Sequence, residues 1–292
     1  MTAAARGVGA GATHHVIDLA GLSRLINLLQ EQGFQVVGPQ VRDGAVVYDA
    51  LEKAEDLPIG YADEQAPGRY RLVKNGSAEA FAWTVGPESW KKFLFPAECK
   101  LCEAERDGQG FRVLGGEACG GAPKYAIFGA RACELAAMAI QKRVFMADLY
   151  EDPAYAARCH GMFVVAVNCG RASANCFCAS MGTGPRVSGG FDVALTEIAG
   201  DGETSYVVET GSEAGARLLS ELNPSEAPAE LVRRAEAVAA AAAASIRRSL
   251  DTAGLRELLY DNFEHPRWDE IAARCLSCAN CTMVCPTCFC ST

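Results

Sequence analysis

The sequence predicts a mixed α/β main domain, followed by a helical segment and a short cysteine-rich tail. Two apolar runs, Tyr125–Phe128 and Met162–Val167, are typical of buried strands, and a helical pattern lies between them. Helical sequence then dominates from 213 to 275, and six of the 14 cysteines fall between Cys275 and Cys290. We therefore expect four segments, which are a disordered N-terminus (1–13), an α/β domain (14–225), a helical connector (226–270) and the tail (271–292).

The first elements follow from local patterns. Asp18 is placed to cap a helix with apolar residues at helical spacing, and Gly33 ends it. Asp43-Gly44 between two apolar runs predicts a β-hairpin over 34–51. Further short strands are expected at 70–73, 80–85 and 207–208.

The middle of the chain has the pattern of strand, turn and helix. Gly129 is expected to form a turn after the first buried strand. The helix over 131–145 should then direct Leu135, Met138 and Ala139 inward. Later in the chain, the alanine-rich stretch 235–245 is expected to be a solvated connecting helix.

Composition and charge exclude several classes of protein. The net charge of −9, without a basic run, argues against nucleic acid as a partner. Neither an apolar stretch of about 18 residues nor an N-terminal signal pattern occurs, so we expect no membrane span and a cytoplasmic location. Thiols stay reduced in that compartment, which favours metal or cluster ligands over disulfides.

The tail carries the strongest motif. Cys275, Cys278, Cys281 and Cys285, followed by Pro286, reproduce the ferredoxin run C-x2-C-x2-C-x3-C-P. Two-residue spacers let one tight loop direct successive thiolates at the corners of a cubane cluster, whereas zinc sites use well-separated cysteine pairs. The tail is therefore predicted to be a ferredoxin-like [4Fe-4S] motif, with a zinc-stabilised interaction module as the alternative.

The fourth ligand of this tail cluster is an open question. In two-cluster ferredoxins the fourth cysteine serves the other cluster, which a second cysteine run completes. This sequence contains no second run, so the dicluster domain is incomplete and we expect a following segment to be missing. Local closure by Cys285, Cys288 or Cys290, a three-ligand cluster and a ligand from another subunit remain alternatives.

A second set of cysteines lies in the α/β domain. Cys169, Cys176 and Cys178 follow the strand 162–167, and Cys133 begins the helix after the preceding strand. Loops at the carboxyl ends of parallel strands often hold ligands, and a helix N-terminus lowers the pKa of a cysteine there. These four thiols are predicted to bind a further cluster, although they are also compatible with small buried apolar residues.

Other features carry less chemistry. Cys99-x2-Cys102, grouped with Cys119, is compatible with a zinc half-site, a redox pair or no role at all. Lys91-Lys92 is expected to be a solvated helix face. The loop 182–185 is compatible with a flavin contact, which would make the chain an enzyme in its own right. Without a nucleotide motif or a catalytic constellation, flavin is not expected and no catalytic residue is assigned.

Several segments together resemble one family of redox subunits. They are Phe128–Ala137, Phe163–Cys169, Cys176–Pro185, Gly190–Glu197 and the tail Arg274–Cys290. They are similar to the iron–sulfur (beta) subunit of cytoplasmic sulfhydrogenases and NAD(P)-linked nickel–iron hydrogenases, and to the corresponding electron-transfer subunit of anaerobic sulfite reductase. The resemblance covers nearly the whole chain and is densest over 91–290.

The resemblance implies an electron relay and its partners. In that family a partner subunit with flavin and a [2Fe-2S] centre exchanges electrons with NAD(P)H, and the iron–sulfur subunit passes them to catalytic hydrogenase or sulfite reductase subunits. The chain should therefore be a non-catalytic component with one or more [4Fe-4S] clusters. It departs from the family pattern near 97–102, where Cys99 and Cys102 stand, and after the first ferredoxin run.

Overall fold

The computed structural model describes residues 14–100, 102–115, 122–147, 149–200 and 203–288. The N-terminal segment 1–13, Cys119 and Cys290 therefore lie outside the described residues. Twelve strands are described: His15–Ile17 (β1), Gln35–Arg42 (β2), Ala45–Ala50 (β3), Tyr61–Ala66 (β4), Arg69–Lys74 (β5), Glu103–Asp107 (β6), Gly110–Gly115 (β7), Tyr125–Ala130 (β8), Phe163–Val167 (β9), Val193–Ala199 (β10), Thr204–Thr210 (β11) and Ser225–Glu226 (β12).

Nine α-helices are described in the same residues. They are Leu19–Glu31 (α1), Lys91–Leu94 (α2), Ala132–Met146 (α3), Pro153–Cys159 (α4), Glu213–Leu222 (α5), Ala229–Ser245 (α6), Leu255–Tyr260 (α7), Arg267–Ala272 (α8) and Asn280–Val284 (α9). None of the helices in the described part of the chain is both long and apolar enough to cross a bilayer.

A large mixed sheet organises the molecule. Its eight strands lie in the order β12-β1-β11-β10-β9-β8-β2-β3, and two separate hairpins, β4-β5 and β6-β7, stand beside it. The four central strands β10, β9, β8 and β2 are mutually parallel, while the outer pairings are antiparallel. Parallel strands need cover on both faces, which agrees with the continuous apolar sequence of β8 and β9. The mixed α/β prediction is confirmed.

The N-terminal elements match their sequence signals. The Asp18 carboxylate accepts a hydrogen bond from the Gly21 amide at 2.8 Å and caps α1. The side chains of Leu22, Leu25, Ile26 and Leu29 on this helix are fully buried. The hairpin β2-β3 turns at Asp43 and Gly44, both with positive φ.

Several local predictions are wrong for physical reasons. Gly129 lies inside β8 with φ +92°, where it forms a bulge, and does not turn the chain. Ala139 faces solvent, because the buried face of α3 includes Ala137 and Gln141. The alanine-rich helix α6 buries Ala235, Ala239 and Ala242 instead of being solvated all round.

The segment 80–85 is buried irregular chain, not a strand. The Glu197 carboxylate on β10 accepts hydrogen bonds from the backbone amides of Ala80 (2.6 Å) and Phe81 (2.9 Å). Asp63 accepts the Thr84 amide at 2.5 Å. Because carboxylates satisfy these amides, the segment needs no neighbouring strand. We call residues 80–85 the carboxylate-bound loop.

We predict a pH-dependent contribution from Glu197. Burial raises the pKa of this carboxyl to about 7 from its ordinary 4.5, although the two backbone amides oppose the shift. Between these pH values the folded chain holds a proton that the unfolded chain has lost. The free energy of unfolding should therefore fall by about 1.4 kcal/mol per pH unit as the pH rises through this window.

Urea unfolding between pH 4.5 and pH 8 measures this effect. In Glu197→Gln, this fall in the free energy of unfolding with rising pH should disappear. The variant should also be less stable than the wild type at acid pH, because the new side-chain NH₂ group faces a backbone N–H. The exposed Glu64→Gln is the control and should keep the wild-type slope. An unchanged slope in Glu197→Gln would contradict the prediction.

Candidate cysteine centre and the neighbouring tail

The carboxyl ends of β8 and β9 meet at one edge of the sheet. These strands are parallel neighbours, with Phe128 opposite Val165. The chain leaves β8 through Arg131 into α3 and leaves β9 directly into Asn168 and Cys169. Side chains that follow neighbouring parallel strands lie close together, as in many α/β proteins with ligands at this edge.

Four cysteines predicted to act together surround one cavity at this edge. Cys133, Cys169, Cys176 and Cys178 line a space of about 260 Å³, which we call the four-cysteine cavity. The remaining lining carries no charged side chain and consists of Gln65, Thr84, Val85, Ser173, Asn175, Phe177, Met181 and Thr183. The thiols therefore face an uncharged, mostly apolar space of their own.

Backbone contacts fix the loop that supplies Cys176 and Cys178. The Cys169 amide donates to the Pro185 carbonyl at 3.2 Å, and the Thr183 amide donates to the Cys178 carbonyl at 3.0 Å. The Ser173 amide donates to the Cys176 sulfur at 3.3 Å. Backbone N–H groups directed at a thiolate sulfur stabilise its charge and help set the potential of a bound cluster.

Gly184 leaves room for Cys178. A Cβ at this position would lie 3.1 Å from the Ala132 Cβ and 3.3 Å from the Cys178 sulfur. Its φ of +149° also lies in a region that side chains disfavour. Gly184 is therefore the residue of the 182–185 loop that contacts the cysteine cavity, and a side chain at this position would crowd Cys178.

Burial disfavours the charged form of three of these thiols, those of Cys133, Cys169 and Cys178. Burial raises the pKa of Cys133 far above its ordinary value, and Glu134 and the other three cysteines add to the effect. The prediction that the helix N-terminus lowers this pKa is wrong, because desolvation is the larger effect. Cys133 is exposed by accessible surface, yet the surrounding protein still desolvates its thiol. Burial also raises the pKa values of Cys169 and Cys178.

A buried guanidinium stands beside these thiols. Arg131 is 1% exposed, and one of its terminal nitrogens donates to the carbonyls of Phe81 and Trp83, each at 3.0 Å. Its guanidinium lies over the Trp83 ring at 4.6 Å from the centroid. Its positive charge and a hydrogen bond favour the thiolate of Cys169 and oppose the rise in that pKa.

Arg131 forms no salt bridge among the described residues, and its Nε has no hydrogen bond there. Its charge does interact with two buried carboxyls, Glu134 and Glu197, whose pKa values burial raises and Arg131 lowers. A buried cation is costly unless anions offset it, and four thiolates around a cluster would add to that offset. The sequence patterns assigned no role to Arg131, and its position two residues before Cys133 at a strand end is the signal that could have revealed one.

The all-thiol donor set of the cavity is compatible with an iron–sulfur cluster. Within the described ranges, no three histidines, cysteines or carboxylates converge closely enough to ligate one metal ion. Zinc would draw four sulfurs to about 2.3 Å from a single centre. Cysteines spread around a 260 Å³ cavity instead leave room for an inorganic core between them. The donor set, all thiols, suits iron–sulfur chemistry.

The tail cysteines lie in a tight loop. Cys275, Cys278 and Cys281 are exposed and Cys285 is half-buried. Ser277 and Ala279 both have positive φ, which is unusual for residues with a side chain. Left-handed residues in such loops turn backbone N–H groups toward an enclosed anion, as at many iron–sulfur sites. The assignment of the four tail cysteines as cluster ligands stays a prediction.

The remaining cysteines stand outside both sets. Cys99 is half-buried near the Arg158 guanidinium, at 3.9 Å, and Cys102 is exposed. Cys159 is buried on α4. The larger cavity of about 790 Å³ between the β4-β5 hairpin and α6 has Glu197 in its lining and no cysteine.

The comparisons with known proteins identify the family. No family model matches the chain. A curated relative, sulfhydrogenase 2 subunit beta of Pyrococcus furiosus, is 32% identical over 266 residues, which cover 90% of this chain and 69% of the relative. This match confirms the family resemblance drawn from the motifs. The chain belongs to the family of sulfhydrogenase beta subunits.

Proposed function

We propose that this chain is the iron–sulfur electron-transfer subunit of a cytoplasmic hydrogenase complex. It relays electrons between a flavin and [2Fe-2S] subunit that binds NAD(P)H and a catalytic hydrogenase subunit. The observation that carries this proposal is the four-cysteine cavity with buried Arg131 beside it. A [4Fe-4S] cluster bound there would supply one-electron chemistry. Burial and nearby charge would set its reduction potential.

Each residue of the core site has a role in holding such a centre. Cys133, Cys169, Cys176 and Cys178 are the proposed ligands. Metal binding removes thiol protons despite the raised pKa values of Cys133, Cys169 and Cys178. Arg131 offsets part of the negative charge of the ligated centre. The lining of the cavity carries no other charged side chain that would compete with this electrostatic interaction.

The tail is the proposed second centre. Cys275, Cys278, Cys281 and Cys285 have the ferredoxin spacing, and the positive φ values of Ser277 and Ala279 fit a loop that wraps an anion. The segment 271–292 is then a ferredoxin-type motif that follows the α/β domain and the helical connector.

Exposed apolar side chains support a subunit role. The helices α7 and α8 and the adjoining turns expose Leu258, Tyr260, Phe263, Trp268 and Ile271. Exposed apolar side chains that form a contiguous patch mark protein interfaces. We assign it to a neighbouring subunit of the complex, in keeping with the relative's name as one subunit of a sulfhydrogenase.

Cysteine variants test both centres. Cys176→Ser and Cys278→Ser should each lose about four iron and four sulfide per chain, because each removes a ligand from a different cluster. Iron and acid-labile sulfide analysis of anaerobically purified protein measures this loss. Cys102→Ser, at an exposed thiol outside both sets, is the matched control and should keep the full content. Zinc without iron in the wild-type chain would overturn the proposal.

Arg131 variants test the charge beside the core centre. Arg131→Gln should lower the midpoint potential of that centre by roughly 60 mV, a tenfold shift in a one-electron equilibrium, because an anionic cluster accepts an electron less readily without the cation. Arg131→Lys also loses the planar guanidinium but keeps the positive charge. The midpoint potential of the core centre should therefore stay near that of the wild type in this variant. A redox titration followed by EPR compares them, and equal potentials in the two variants would contradict the role of charge.

A further inference from the structure

Two consecutive lysines at the start of α2 have different surroundings. Lys92 pairs with Glu88 at 2.8 Å on the surface, as a solvated helix face would predict. Lys91 instead donates hydrogen bonds to the backbone carbonyls of Thr282 (2.6 Å) and Cys288 (2.9 Å). The prediction of a solvated face is therefore wrong for Lys91. This side chain binds the segment 282–288, which includes Cys285, at its first and last residues.

A second contact holds the middle of the same turn. The Gln141 side-chain amide on α3 donates to the Pro286 carbonyl. Pro286 packs into a niche with Trp90, Glu134 and Ala137, and the remaining space is only about 10 Å³. Pro286 directly follows Cys285, so this niche fixes the backbone next to a proposed ligand.

The tail is less exposed to solvent at the residues that make these contacts than in the stretch before them. The stretch 275–281 is exposed, whereas 285–288 is half-buried. The tail therefore rests on the α/β domain through its last described turn, and the first three cysteines of the ferredoxin run remain in solvent. This surface on α2 and α3, formed by Lys91, Gln141 and the Pro286 niche, is called the tail seat below.

The tail seat and the core centre share one helix. Cys133 stands in the first turn of α3, and Gln141 is eight residues further along it. At 1.5 Å per residue this separation is about 12 Å along the helix axis. Glu134 belongs to the Pro286 niche and directly follows Cys133. Pro286, which directly follows Cys285, is thus bound at Gln141, about two helical turns along α3 from Cys133.

We propose that Lys91 and Gln141 are positioning residues that dock the tail's cysteine loop on α3, so that the tail and core centres exchange electrons directly within this chain. This inference rests on the proposed function, because it requires both cysteine sets to be loaded. The exchange moves one electron from one centre to the other, with no bond made or broken. The Lys91 ammonium also places a positive charge beside the tail loop, which favours an anionic centre there.

The test uses the full chain, purified anaerobically. The variants are Lys91→Ala, Lys91→Arg, the double variant Lys91→Ala with Gln141→Ala, and Lys92→Ala as matched control. The first readout is the EPR spectrum of the fully reduced protein, in which two paramagnetic clusters that lie close together broaden each other's signals. The second is hydrogen exchange of 282–288 in metal-free protein, which reports docking without any cluster.

We expect wild type and Lys92→Ala to show the interaction between clusters and slow exchange in the tail. Lys91→Ala and the double variant should keep their iron, lose the interaction, and exchange at least about tenfold faster over 282–288, because a charge-assisted hydrogen bond is removed. Lys91→Arg, which can still donate to both carbonyls, should restore the wild-type behaviour.

Two results separate failure of this inference from failure of the proposed function. If wild type holds iron for two clusters and the Lys91 and Lys92 variants behave alike in both readouts, the seat is overturned. If wild type lacks two iron–sulfur clusters while the tail still exchanges faster in Lys91→Ala, docking stands, and the proposed function together with the electron exchange is overturned.

Discussion

The burial of the Arg131 guanidinium is the constraint on which the site depends. Moving a cation out of water costs several kcal/mol even after relaxation. Here the carbonyls of Phe81 and Trp83 and the ring of Trp83 offset part of this cost. To present those carbonyls, the carboxylate-bound loop must be irregular, and its amides must be satisfied elsewhere. Glu197 and Asp63 do so from β10 and from the β4-β5 hairpin.

The same arrangement links the sheet to the cysteines. Arg131 follows β8 directly, so the strand that carries the core also fixes the start of α3 and the position of Cys133. The Asn168 amide, after β9, donates to Thr196, and its oxygen accepts from the Val187 amide. These bonds tie the end of β9 to β10 and to the loop that carries Val187. The Arg131 guanidinium joins the ends of β8 and β9, because it donates to the Asn168 carbonyl at 3.4 Å.

The two cysteine sets differ in their surroundings. In the four-cysteine cavity, burial raises the pKa values of Cys133, Cys169 and Cys178, so ligation there must displace protons. In the tail, Cys275, Cys278 and Cys281 are exposed. Their loop is instead organised by left-handed backbone and by its contact with α2 and α3. Helix α3 joins the two environments, since it carries Cys133 in its first turn and Gln141 two turns later.

Local sequence determined the elements whose signals are local. Periodicity and capping predicted α1, the β2-β3 hairpin and the buried strands β8 and β9, because short-range packing and turn geometry decide such elements. The clustering of Cys133, Cys169, Cys176 and Cys178 was also predictable, since parallel strands end at one edge. The tail spacing likewise pointed to the family that the 32% identical relative confirms.

Tertiary structure decided everything that depends on distant partners. The segment 80–85 is apolar enough for a strand, yet Glu197, more than a hundred residues away, takes its amides. Cys133 stands at a helix N-terminus, yet desolvation by the assembled cavity raises its pKa. Lys91 and Lys92 are the same residue type in adjacent positions, and only the folded tail distinguishes them. Burial and long-range hydrogen bonding depend on which surfaces meet, which no local pattern in the sequence specifies.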